Sequence, residues 1–113
     1  MTTDILQTIV AHKRTEITHQ EEAVSHDFLI RQLETNPSRP TKSLKQALAS
    51  SPTGIIAEFK RRSPSKGWIA PEADPAIIVP GYEQAGASGI SVLTDQEFFG
   101  GRLKDLQTVR PLV

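Results

Sequence analysis

The chain has 113 residues, which suits one small domain or a piece of a larger one, with 37% hydrophobic and 23% charged residues. Thirteen positive side chains balance thirteen negative ones. That neutrality argues against a dedicated nucleic-acid or membrane-surface binder, which needs an excess of Lys and Arg. Cysteine is absent, which excludes a disulfide framework and a thiolate metal site.

Met1-Thr2-Thr3-Asp4 lacks the basic segment of a signal peptide, and no apolar run approaches a membrane span, so the cytoplasm is the expected compartment. From Asp4 to about Gln20 the pattern is helical, with Ile5, Leu6, Ile9, Val10 and Ile17 near one stripe. Asp4, followed three residues later by Gln7, resembles a capping box. His12, His19 and His26 fall in this polar region without a carboxylate spacing that suggests zinc, and they read as solvated surface. A second helix is expected over Asp27 to Glu34, burying Phe28, Leu29 and Leu33, and Asn36-Pro37 stops it. Residues 36–40 read as a linker. A third short helix starts at Ser43, with Gln46 as capping partner, carries Leu44, Ala47 and Leu48, and ends at Ser50-Ser51-Pro52.

At Gly54 the character changes. Residues 55–60 form a compact strand-like run, and 61–67 a turn-rich loop. Asp74-Pro75 looks like an N-cap with proline at the first helical position. The helix that follows runs toward Gly86 with Ile77, Ile78 and Tyr82 available for packing, and Pro80 predicts a kink or a late start. A second strand covers 89–94 and a loop 95–101. A last helix begins near Arg102, with Leu103, Leu106 and Val109 on one side. Strand, helix, strand, helix implies βαβ units and a parallel sheet. Residues 1–53 are then a helical extension, and 54–113 hold two βα units.

Strands of a covered parallel sheet are apolar on both faces. Glu58 and Lys60 break that rule, and being two apart they share one face, opposite Ala57 and Phe59. In a closed barrel that face is the interior, and its C-terminal end is where barrel enzymes keep their chemistry. An ion pair that merely props a strand end is the bland alternative. For two opposite charges amid apolar neighbours, function comes first. The basic run from Arg61 to Gly67 is by itself a solvated loop, a nucleic-acid contact or a modification site. Placed after Glu58 and Lys60, it becomes a loop whose hydroxyls and amides meet an anionic ligand.

The stretch from Ile55 to Gly67, with its Glu-x-Lys and Ser-Pro-Ser-Lys-Gly elements, resembles the first-strand signature of indole-3-glycerol-phosphate synthases. Tyr82 to Ala87 and Ser91 to Gly101 resemble that family's first helix end, second strand and following loop. The N-terminal helix is similar to its extra helical segment. The resemblance implies the N-terminal part of a (β/α)8 barrel preceded by a helical extension. It implies decarboxylating ring closure of a small phosphorylated substrate in tryptophan biosynthesis, with no metal or organic cofactor, no nucleic acid and no membrane. Lys60 then faces the substrate carboxylate or donates a proton, and Glu58 orients it and keeps it charged. Ser63 and Pro64 line the substrate, and Phe99 packs on its aromatic ring, with Phe98 anchoring the loop. Lysine and glutamates of later strands lie outside these residues, so the chain is expected to be a part of the enzyme, inactive alone. A nucleic-acid-binding module and another phosphate-binding barrel enzyme, such as phosphoribosylanthranilate isomerase, are the alternatives.

Overall fold

A computed structural model describes residues 4–113; the expected lack of a signal peptide, read from residues 1–4, lies largely outside the described residues. The chain divides into two compact units at Thr41–Lys42, so the third short helix goes with the strands and not with the N-terminal helices.

The first unit holds α1 (Ile5–Ala23) and α2 (His26–Thr35). Each begins at a side-chain cap. Asp4 Oδ1 accepts the Gln7 N–H at 3.1 Å, and Ser25 Oγ accepts the Phe28 N–H at 3.1 Å. Such caps satisfy amides that the first helical turn leaves open and contribute about 1 kcal/mol each. The expected burial of Phe28, Leu29 and Leu33 does not occur, since all three are exposed and neither helix holds a buried residue. A layer of only two helices, one of them ten residues long, cannot enclose an apolar stripe.

The second unit begins with α3 (Leu44–Ser50), capped by Ser43, whose Oγ accepts the Gln46 N–H. Strand β1 (Ile56–Phe59) follows, then a small antiparallel pair, β2 (Arg62–Ser63) and β3 (Gly67–Trp68). The turn-rich loop expected there is thus a short hairpin, with its turn at residues 64–66. Its turn is closed by Ser63, whose Oγ accepts the Lys66 N–H at 3.2 Å. Helix α4 (Pro75–Gln84) starts at the Asp74 cap, with Asp74 Oδ1 accepting the Ala76 N–H. It runs through Pro80, so the late start does not occur. Strand β4 (Gly89–Val92), α5 (Leu103–Val109) and a 3₁₀ turn at Arg110–Leu112 complete the chain.

Strands β1 and β4 are parallel, in the register Ile56↔Gly89, Ala57↔Ile90, Glu58↔Ser91 and Phe59↔Val92. Alternation sends Phe59, Ile90 and Val92 toward α4 and α5. There they meet Val79 and Val109, which are almost wholly buried. The opposite face carries Ile56, Glu58 and Ser91. Near its N-terminal end lies Leu44 of α3, so close to Gly89 that a Cβ there would come within 2.6 Å of Leu44 Cδ1. Of the side expected to face inward, helix α5 buries only Val109. Leu103 and Leu106 are exposed, while Asp105 and Val109, one turn apart, point inward. A charged partner, Arg61 just after β1, draws Asp105 in.

Candidate active site

Glu58 and Lys60 project from the open face at the C-terminal end of β1. Lys60 Nζ stands 3.6 Å from Glu58 Oε1, with the side chains 38% and 46% exposed respectively. Glu58 is gripped a second time. Its register partner on β4 is Ser91, whose Oγ–H donates to Glu58 Oε2 at 3.0 Å. Carboxylate, ammonium and hydroxyl therefore form one polar row across the mouth of the two strands, each placed by strand alternation.

Beneath this row lies a buried ion pair. Arg61 comes directly after Lys60 and turns to the other side, where its guanidinium meets Asp105 in a bidentate contact, Nη1 to Oδ2 at 2.6 Å and Nη2 to Oδ1 at 3.0 Å. Arg61 Nε also donates to the Ala73 carbonyl and Nη1 to that of Gly100, and the guanidinium lies 5.1 Å from the Phe59 ring centre. Asp105 accepts in addition the Arg102 N–H at 3.2 Å. A forked pair whose Nε and second Nη1 protons are also bonded tolerates burial that a lone charge does not. The Arg61 hydrogen bonds hold the Asp105 carboxyl below the usual carboxylate range, against desolvation. Asp105 in turn raises Arg61 above its ordinary value.

The same contacts join the two loops that follow the strands. The Arg62 N–H donates to the Phe99 carbonyl at 3.2 Å, and its guanidinium donates to the carbonyl of Glu97. Within the 95–101 loop, Phe98 N–H donates to Asp95 Oδ2, and Gly101 N–H to the Asp95 carbonyl at 2.7 Å. Gly100 has φ +64, and a Cβ on Gly101 would fall 1.9 Å from the Leu93 carbonyl oxygen. Only glycine fits there, which explains the Gly-Gly pair that ends the loop.

The five residues singled out from the sequence thus gather at one end of the strands, and two of them touch. Glu58 and Lys60 are paired. Ser63 is buried, with its oxygen turned into the hairpin turn, and Pro64 is exposed beside it. Phe99 is half-buried, and the contact that fixes it runs through its backbone to Arg62. Two participants escaped sequence reasoning. Ser91 was readable in principle, as a polar residue on the inward alternation of the second strand. Arg61 was hidden in a run of basic residues, and its partner lies 44 positions away.

Residues 6–113 match the family described as "Indole-3-glycerol phosphate synthase". Curated relatives bearing that name include proteins of Bacteroides thetaiotaomicron, 57% identical over 110 residues, and Prochlorococcus marinus strain AS9601, 45% over 108. A third, from Saccharopolyspora erythraea, is 39% identical over 109 residues. The alignments take in 97%, 95% and 96% of this chain but 42%, 36% and 40% of those relatives. The chain thus spans about two fifths of the length of the curated relatives it matches. Its parallel strands, joined through α4 and covered by helices on one face, are βα units of a (β/α)8 barrel with a helical segment ahead of them. By a match that extends from the first helix to the last residue, the chain belongs to the indole-3-glycerol phosphate synthase family.

Proposed function

We propose that the protein carrying this segment closes the ring of 1-(2-carboxyphenylamino)-1-deoxyribulose 5-phosphate, releasing carbon dioxide and water to give indole-3-glycerol phosphate. It is in this reading a carboxy-lyase of tryptophan biosynthesis that needs no metal or organic cofactor. The observation that supports the reading is the Glu58–Lys60 pair, at 3.6 Å, on the open face at the C-terminal end of β1. A barrel enzyme keeps its chemistry at that end. An ammonium there is suited to face the substrate carboxylate and to supply a proton during ring closure or dehydration. Glu58 orients the ammonium. Ser63 and Pro64 line the substrate, and the Phe99 ring offers a flat apolar surface to the anthranilate moiety.

Residues 1–113 alone are expected to show no turnover, because two strands cannot surround a substrate. The test is product formation, followed by chromatography, with the full-length protein that carries this segment. Conversion of the anthranilate-linked ribulose phosphate with stoichiometric carbon dioxide is the expected result. A folded full-length protein that leaves this compound intact would refute the reading. Residues 1–113 turning it over at the full-length rate would overturn the expectation of an inactive segment and leave the synthase reading standing.

A further inference from the structure

Ser91 was given no part by sequence reasoning, yet it is the residue that decides where the Glu58 carboxylate points. A half-exposed glutamate has a broad terminal torsion and no preferred carboxylate orientation of its own. Here Glu58 divides its oxygens, Oε2 taking the Ser91 hydroxyl at 3.0 Å and Oε1 facing Lys60 at 3.6 Å. The hydroxyl is held by a short side chain on a strand, and β4 is locked to β1 in the register Glu58↔Ser91. Its position is therefore rigid relative to the carboxylate it binds. Alternation leaves Ser91 on the open face, away from the Phe59–Val79–Val109 core, so the hydroxyl is not needed to complete the apolar packing.

We propose that Ser91 is a positioning residue: it anchors Glu58 Oε2 so that Oε1 aims the Lys60 ammonium at the substrate. The inference rests on the synthase reading above. The chain of action is Ser91 to Glu58 to Lys60, and each link is a contact between neighbouring side chains. It follows that the effect of removing Ser91 must pass through Glu58.

The experiment is a double-mutant cycle in the full-length protein carrying this segment, with Ser91→Ala, Ser91→Thr, Glu58→Ala and Glu58→Ala/Ser91→Ala. Ser91→Ala is expected to lower kcat about tenfold, as the loss of one orienting hydrogen bond does. The melting temperature should stay within a few degrees of wild type. Ser91→Thr keeps a hydroxyl on the strand and should retain kcat within about twofold. In the Glu58→Ala background, Ser91→Ala should change nothing further, because the group it positions has gone. Equal losses in both backgrounds, wild-type turnover in Ser91→Ala, or a loss that threonine does not restore would each overturn the proposal. Should the wild-type full-length protein show no turnover at all, the synthase reading fails separately. The Ser91–Glu58 link is then decided by the Glu58 carboxyl carbon resonance. It should move in Ser91→Ala and stay in place in Ser91→Thr, and an unmoved resonance in Ser91→Ala sinks the link.

Discussion

At Lys60 a single atom separates two explanations of the strand-end pair. Both partners are more than a third exposed, and such ion pairs contribute about 0–1 kcal/mol after solvent screening. Lys60→Met keeps the apolar stem and removes the charge, so the melting temperature should stay within about two degrees. If the ammonium acts on substrate, turnover of the full-length protein should fall roughly 10²–10⁴-fold. Thermal melts and initial rates on the same preparation distinguish the two, and unchanged turnover per folded molecule removes Lys60 from the chemistry. Arg61, its neighbour, has the opposite profile: buried, structural and sensitive to acid. The Asp105 carboxyl titrates below its unfolded value because Arg61 hydrogen-bonds the ionised form. The stability this adds is fully present above the unfolded value and is lost as pH falls through the lower, folded one. Acid unfolding of wild type should therefore steepen below roughly pH 4, and Asp105→Asn should flatten that slope. At neutral pH Asp105→Asn should destabilise by about 3 kcal/mol, because it leaves Arg61 buried without its counter-charge. Denaturant titrations at two pH values measure both effects, and an Asp105→Asn protein as stable as wild type at pH 7 contradicts the assignment.

Elements whose signals are local were legible in the sequence, and those decided by distant partners were not. The caps at Asp4, Ser43 and Asp74 each bind an amide two or three residues on, so the local sequence alone places each of them. Both strands were found within two residues of their ends, since β-rich runs between turn residues are a short-range pattern. The orientation of α5 was only partly legible, because Arg61, far along the chain, selects the side with Asp105 and Val109 and leaves Leu103 and Leu106 exposed. The β2–β3 hairpin went unseen because strands of two residues leave no periodicity to detect. Of the site, Glu58 and Lys60 were visible as charges in an apolar strand, whereas Ser91 gains meaning only from cross-strand register. Helix α4 supplies a further test. Pro80 removes one backbone donor from the middle of that helix, and the ring crowds the carbonyl one turn earlier. Pro80→Ala should restore the hydrogen bond and stabilise by roughly 1–2 kcal/mol, the helix gain exceeding the added freedom of the unfolded chain. A lower melting temperature for Pro80→Ala would mean that the ring's packing outweighs the missing bond.

Among the described residues the molecule has one parallel pair of strands, and each strand is paired on one side only. Unpaired parallel edges recruit other strands, and parallel pairing through long crossovers is slow to form. Much apolar side-chain surface on α1 and α2 is exposed as well. Residues 1–113 on their own should therefore associate at micromolar concentration, with sedimentation showing species larger than a monomer. A cooperatively unfolding monomer would show that the described contacts suffice. No helix among the described residues is long and apolar enough to cross a membrane.

The chain has a single tryptophan, and it stands on the hairpin and not in the core. Trp68 is 58% exposed, rests against Gly100 and lies with its ring centre 5.7 Å from the Arg62 guanidinium. Its emission therefore starts near the wavelength of indole in water and shifts little on unfolding. Emission intensity, which changes when the ring leaves Arg62 and Gly100, reports detachment of the hairpin from the neighbouring loop, while circular dichroism follows the helices. The adjacent cation also makes the ring selective toward ionic quenchers: iodide should be drawn in and caesium turned away. In residues 1–113 held below the concentration at which they associate, iodide should quench at least about twice as efficiently as caesium at low salt. Arg62→Gln should bring the two together, and equal quenching in wild type would place the guanidinium away from the ring.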